Sequence, residues 1–167
     1  MPGKGQARFF LLAAASVVVL DQLTKLWVRN NLALGTVIPK TSFLNLVYYA
    51  NTGAVFGLFP GQVLAFIITT AVVMASILVA RHYLPPAATL SNVALGLLFG
   101  GATGNLIDRV CRGFVTDFID VHWSKLHWSA FNFADASIVV GIILFIYSLY
   151  RLGFFARVYH HGLTTRE

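Results

Sequence analysis

Four long apolar stretches constrain this chain more than any other feature of its 167 residues. A helix that crosses a lipid bilayer needs roughly 20 apolar residues. The first stretch covers about 9–28, and Phe9–Leu20 is apolar throughout except for Ser16. The second covers about 62–83, carries no charge from Val63 to Ala80, and is stopped by Pro85-Pro86. The third covers about 90–108, with no charge before Asp108, and the fourth about 130–150, interrupted only by Asn132 and Asp135. Lys4 and Arg8 ahead of the first stretch give it the opening of a signal peptide. The pattern runs past Asp21 to Trp27 and Val28 with no clean small-residue cleavage site, so a retained helix is expected.

Composition agrees with this pattern. Charged residues are 11% and hydrophobic residues 57%, with a mean hydropathy of +0.75, whereas a soluble domain has about 25% charged residues. A disordered chain is excluded, and a polytopic membrane protein remains. Four spans use about 80 residues, which leaves no room for a large soluble domain, so 1–167 reads as a single membrane-embedded domain. The net charge of +6 reflects few acids more than many bases. The bases are scattered, which disfavours a nucleic-acid face and favours anionic lipid headgroups as the contact. Cys111 is the only cysteine, which excludes an intrachain disulfide and a Cys-based zinc site.

The expected fold is an all-α polytopic membrane protein of four transmembrane helices, with a small extracytoplasmic β-element within 29–61. Phe43–Tyr49 is rich in strand-forming residues, and Gly53, Gly57 and Pro60-Gly61 punctuate the chain after it. Phe43, Tyr48, Tyr49, Phe56 and Phe59, with Trp123 and Trp128 from the loop at 109–129, suit the headgroup zone. Gly96, Gly100 and Gly104 share one helix face and read as close helix packing.

With four spans, helices one and three end on the side where helices two and four begin. Asp21 lies late in helix one, Asn51 and Gly53 before helix two, Asn105 and Asp108 at the end of helix three, Asp117 and Asp120 in the next loop, and Asn132 and Asp135 early in helix four. Every acid except Glu167 therefore falls near one membrane face. Lys and Arg divide six and six between the two sides, so the positive-inside rule does not orient the chain.

An ionisable residue within a span costs about 2.5–3.5 kcal/mol at the bilayer centre on insertion scales and points to function by default. Asp135 is expected about 8 Å in from the surface, five residues at about 1.5 Å each, and a structural contact between helices is the bland alternative. Two carboxylates held together share one proton. The ionised one takes a proton from water, and the protonated one donates to a scissile carbonyl. Asp135 meets the requirements for one member. For its partner, spacing alone leaves Asp117, Asp120 and Asp108 open. His122 and His127 could join Asp117 and Asp120 around a metal, but no metal-ligand motif is present, and imidazoles facing headgroups are the simpler reading. His160 and His161 read as a solvated pair in the tail. Neither a His-Glu-x-x-His nor a Gly-x-Ser-x-Gly motif occurs.

Five blocks then combine: DQLTK at 21–25, NTGAVFG at 51–57, GNLIDR at 104–109, VTDFID at 115–120 and FNFAD at 131–135. In this order and spacing the chain resembles the lipoprotein signal peptidase family (signal peptidase II). The one small departure is Val55, where the family often has Ala. The resemblance implies an aspartyl endopeptidase of the bacterial inner membrane, free of metal and other cofactors. Such an enzyme removes signal peptides from diacylglyceryl-modified prolipoproteins by cutting just before the lipidated cysteine. It implies Asp117 and Asp135 as the catalytic pair. Asp21, Asn51, Gly53, Asn105, Arg109 and Asn132 match positions that shape the pocket and hold substrate, and Asp108 supports Arg109. For Asn105 and Arg109, helix capping and headgroup snorkelling are the bland alternatives. Asp120 reads as structural or supporting. The resemblance also places the termini in the cytoplasm and the site near the outer face, with membrane lipids as neighbours, and a monomer is expected. The rival function is a small proton- or cation-coupled transporter that uses the Asp cluster. A second is a non-catalytic assembly factor binding a partner through its glycines and aromatic loops.

Overall fold

The computed structural model describes residues 4–39, 43–53, 58–85, 88–123 and 126–153. Val55, Phe56 and Gly57, and the tail with His160, His161 and Glu167, lie outside them, as do the side chains of Trp123, His127 and Trp128. Helix α1 (Lys4–Asn31) leads to two strands, β1 (Val37–Ile38) and β2 (Leu44–Asn51), and then to helices α2 (Val63–His82) and α3 (Thr89–Arg112). Strands β3 (Val115–Trp123) and β4 (Leu126–Phe131) precede the last helix, α4 (Phe133–Arg151). All four helices are long and apolar enough to cross a membrane.

Helix α3 is the axis of the bundle. It packs against α1 on one flank and α4 on the other, while α2 rests chiefly on α3. Over half of the spanning window of α3 (56%) is buried, against 6% for α2. The sequence of α3 explains its central place. A side chain at Gly96 would come within 2.6 Å of the Phe10 carbonyl oxygen on α1, and one at Gly100 within 2.7 Å of the Ala14 carbonyl oxygen. Without side chains there, the two backbones meet closely, and dispersion between them replaces the hydrophobic drive that lipid does not supply. On α4, Gly141 lies against Ala94 and Leu98 of α3 in the same way. At the end of the bundle away from the sheet, Phe10, Ile77 and Leu95 form a buried apolar cluster. Polar ties reinforce that end. Arg81 Nε donates to Asn92 Oδ1 at 3.0 Å, joining α2 to α3, and the hydroxyls of Ser91 and Ser148 are 2.7 Å apart between α3 and α4.

The sheet corrects the expectation of an all-α chain with one β-element between the first two helices. It has four antiparallel strands in the order β1-β2-β3-β4, and its second half comes from the segment between α3 and α4. Residues 115–131 do not alternate apolar with polar, because Thr116, Asp117 and Asp120 are buried on β3 with hydrogen-bond partners of their own. A strand that buries polar side chains at successive positions escapes the period-two pattern. The fourth helix begins at Phe133, after β4, where Asn132 caps it. The third runs on to Arg112 and is closed by Gly113, whose φ of +76° is the left-handed cap that glycine adopts without cost.

Candidate active site

Five elements deliver side chains to one end of the bundle. Helix α1 brings Asp21 and Lys25, the end of β2 brings Asn51, α3 brings Asn105, Asp108 and Arg109, β3 brings Asp117, and the start of α4 brings Asn132 and Asp135. The pairing of β2 with β3 sets Tyr49 opposite Asp117 and Asn51 opposite Val115, so Asn51 lies diagonally beside Asp117.

Asn132 is the pivot. As the N-cap of α4, its Oδ1 accepts the Asp135 N–H at 3.0 Å, and Asp135 Oδ2 accepts the Asn132 N–H at 3.1 Å, a reciprocal capping box. The Asn132 amide Nδ2 is then free to donate to Asp117 Oδ1 at 2.8 Å. The other two carboxylate oxygens are also held. Asn51 Nδ2 donates to Asp117 Oδ2 at 2.9 Å, and Asn105 Nδ2 donates to Asp135 Oδ1 at 2.8 Å. Asp117 and Asp135 are thus brought together through one residue, with an N–H group aimed at each of their four oxygens.

Asp117 is nearly sealed from solvent, at 3% exposure, whereas Asp135 is half-buried. Burial and then the negative charge of Asp135 push the Asp117 carboxyl up to about 7, although the Asn51 and Asn132 bonds and Lys25 pull the other way. A carboxyl titrating near neutrality beside a second one is the arrangement that shares a single proton.

Behind the pair lies a charged cluster. The Lys25 ammonium is completely buried and meets Asp21 Oδ2 at 2.9 Å, Asp108 Oδ2 at 3.2 Å and Asn105 Oδ1 at 2.8 Å. Asp21 Oδ1 accepts the backbone N–H of Ala134, which pins the first turn of α4 to α1, and Gln22 bonds Asp21 Oδ2 and the Gly104 carbonyl. Asp108 takes Arg112 at 3.1 Å, Arg29 at 3.6 Å and the Thr116 N–H at 3.1 Å. A buried pair of this kind is costly to break from one side, by about 3–5 kcal/mol. The resemblance groups Asp21 with the substrate-holding positions and pairs Asp108 with Arg109. Here Asp21 has no exposed surface, and the arginines that meet Asp108 are Arg112 and Arg29.

Gly53 links Asn51 to Arg109. The Gly53 N–H donates to Asn51 Oδ1 at 2.9 Å, and Arg109 Nη2 donates to the Gly53 carbonyl at 3.2 Å with its guanidinium over the Phe66 ring. Asp120 is elsewhere on the sheet, with Asn45 at 3.2 Å and His122 at 3.0 Å. Among the described residues no three His, Cys, Asp or Glu side chains converge as a metal site would need. Gln22, Arg29 and Thr116 carry no sequence signal as site residues, and Lys25 stands out only by its closeness to acids. For Lys25 a signal was present in its position four residues after Asp21, one helical turn along the same face.

Residues 13–151 match the family described as Signal peptidase (SPase) II. Lipoprotein signal peptidase of Syntrophotalea carbinolica is 43% identical over 152 residues, covering 89% of this chain and 94% of that protein. The enzyme of the same name from Moorella thermoacetica is 42% identical over 141 residues, covering 84% and 91%. Among solved structures, a bacterial membrane enzyme determined by the in meso method at 1.9 Å resolution is similar with a TM-score of 0.75. It is 34% identical, and the match covers 89% of this chain and 94% of that one.

Proposed function

The chain belongs to the signal peptidase II family, a family of proteases, and from that premise we propose that it removes signal peptides from lipid-modified bacterial prolipoproteins, cutting just before the lipidated cysteine. The observation that carries this reading is the bridging of Asp117 and Asp135 by Asn132, at 2.8 Å and 3.1 Å. The two carboxyls share one proton; in the reacting state Asp117, pushed up to about 7, is the acid and Asp135 the base. A water between them attacks the scissile carbonyl carbon as Asp135 takes its proton, while Asp117 donates its own to the carbonyl oxygen. The tetrahedral intermediate then collapses, with a proton passing to the leaving amine as the C–N bond breaks. Proton transfers of this kind contribute typically 10²–10⁴-fold.

Asn51, Asn105 and Asn132 hold the two carboxyls, and Gly53 with Arg109 forms the wall along which the extended substrate backbone lies. Asp21 and Asp108 position the start of α4 and the end of α3 and do not touch substrate. The sheet sits at the outer surface with the termini in the cytoplasm, and the protein works as a monomer among lipids. The exposed Phe43 (59%) and Phe59 (70%), with Leu34 and Ile38, suit contact with headgroups and acyl chains there. A transport path is unsupported: helix α2 has no ionisable residue from Val63 to Ala80, and the described acids gather at one end of the bundle.

The deciding experiment incubates the purified protein with a diacylglyceryl-modified precursor and with its unmodified counterpart. Cleavage of the modified form before its cysteine is the expected result. Processing of neither, in a bilayer or a competent detergent, would overturn the reading.

A further inference from the structure

The Asn105 amide has to choose an orientation, and its neighbours choose for it. A carboxylate only accepts hydrogen bonds, and an ammonium only donates them. Asn105 lies between one of each, with Asp135 Oδ1 at 2.8 Å on one side and Lys25 Nζ at 2.8 Å on the other. Its oxygen must face the lysine, and its N–H must face the carboxylate. The lysine is itself immobile. Its three N–H groups meet three acceptors, on Asp21, Asp108 and Asn105, and its side chain is wholly buried. The Asn132 amide also reaches Asn105 Oδ1, but at 3.2 Å and while donating to Asp117 at 2.8 Å.

We infer that Lys25 is a positioning residue of the cleavage reaction, which acts on Asp135 chiefly through the Asn105 amide that it holds with the N–H toward the carboxylate. With Lys25 removed, the amide is free to turn over and present its oxygen to Asp135. The carboxylate then loses a donor and gains a repulsive neighbour. With Lys25 present, the buried positive charge also polarises the amide and strengthens the bond it gives to Asp135. Asp21 and Asp108 fix the ammonium, so the buried charges that anchor α4 and the end of α3 also aim one side-chain amide. This inference rests on the proposed peptidase reading and adds a residue to it.

The test measures cleavage of a diacylglyceryl-modified precursor by the purified full-length protein and its variants. In Lys25→Met, kcat is expected to fall about 10- to 100-fold, as for a misaimed catalytic group, while KM stays within about twofold. In an Asn105→Ala background the same Lys25→Met change should add less than about twofold, because interacting residues fail to add when one acts through the other. Should Lys25→Met not accumulate as folded protein, Lys25→Met/Asp108→Asn removes one acid together with the base, and the comparison is made with Asp108→Asn alone. Unchanged kcat, a loss confined to KM, or an equal loss with and without Asn105 would overturn the inference and leave the peptidase reading intact. A wild-type protein that does not cleave the precursor overturns both.

Discussion

Asn132 and Asp135 bond each other twice, each backbone N–H donating to the other's side-chain oxygen, at 3.0 Å and 3.1 Å. The residue expected to do chemistry is therefore also the third residue of a helical capping box. A change at Asp135 that keeps an oxygen acceptor preserves the helix start. Asp135→Asn is expected to insert and fold, yet to lose at least about 10²-fold in turnover, as is Asp117→Asn. Near-normal turnover of a lipid-modified precursor by either purified variant would refute the pair. Asp135→Ala, which lacks the acceptor, should also lose about 0.5–2 kcal/mol of stability.

The pH dependence follows from Asp117. Its carboxyl is raised to about 7 by burial and by Asp135, so the proton is present below that pH and leaves above it. Cleavage that needs the protonated form should decline as pH rises through about 7, and a pH profile of kcat/KM reads this limb. Stability shifts in the same direction. A carboxyl raised in the folded state stabilises fully below its unfolded value, and that contribution fades as pH climbs from about 4 through 7. The thermal midpoint should therefore fall across that range, with a slope of at most about 1.4 kcal/mol per pH unit for one proton. In Asp117→Asn that slope should become shallower.

Two glycines of α3 separate packing from chemistry. A Cβ at Gly100 would press on the Ala14 carbonyl and the Val17 side chain, whereas one at Gly104, a turn nearer the site, would meet the Asp21 carboxylate. Gly100→Ala is expected to cost about 1–3 kcal/mol through overpacking and to leave the kcat of the folded fraction unchanged. Gly104→Ala should lower both, because Asp21 anchors the first turn of α4. Thermal melts paired with turnover measurements distinguish the two outcomes.

Arg109 bonds the Gly53 carbonyl and stacks over Phe66. Lysine cannot reproduce that planar contact. Arg109→Lys is expected to raise KM several-fold with a smaller change in kcat, as read from initial rates.

Each oxygen of the two carboxyls already has an N–H group pointing at it from 2.8–3.1 Å. A cation would have to displace those donors, so cleavage is expected to be insensitive to EDTA. Loss of activity with chelator, restored by zinc, would count against the pair acting alone.

Much of this site could be read from the chain before its structure. The uncharged run from Val63 to Ala80 and its counterparts set the number of spans, and that number alone gathered Asp21, Asp108, Asp117 and Asp135 at one end. Two things were hidden. Strands β2 and β3 pair Tyr49 with Asp117 across a long sequence separation, and no local pattern encodes such a pairing. The buried Thr116, Asp117 and Asp120 also erased the alternation that would have marked β3. Burial of Lys25 was hidden for a related reason. A lysine looks like a surface residue until its acceptors are known, and two of the three come from α3, eighty or more residues away.

The reciprocal pair of hydrogen bonds between Asn132 and Asp135 has a consequence for inhibition. A compound seated on this carboxylate would engage a group that the enzyme uses to begin its last helix. On the proposed mechanism, resistance by substitution at that position would sacrifice catalysis, and most replacements would also unravel the turn that holds the residue in place. Escape routes at that contact would therefore be few.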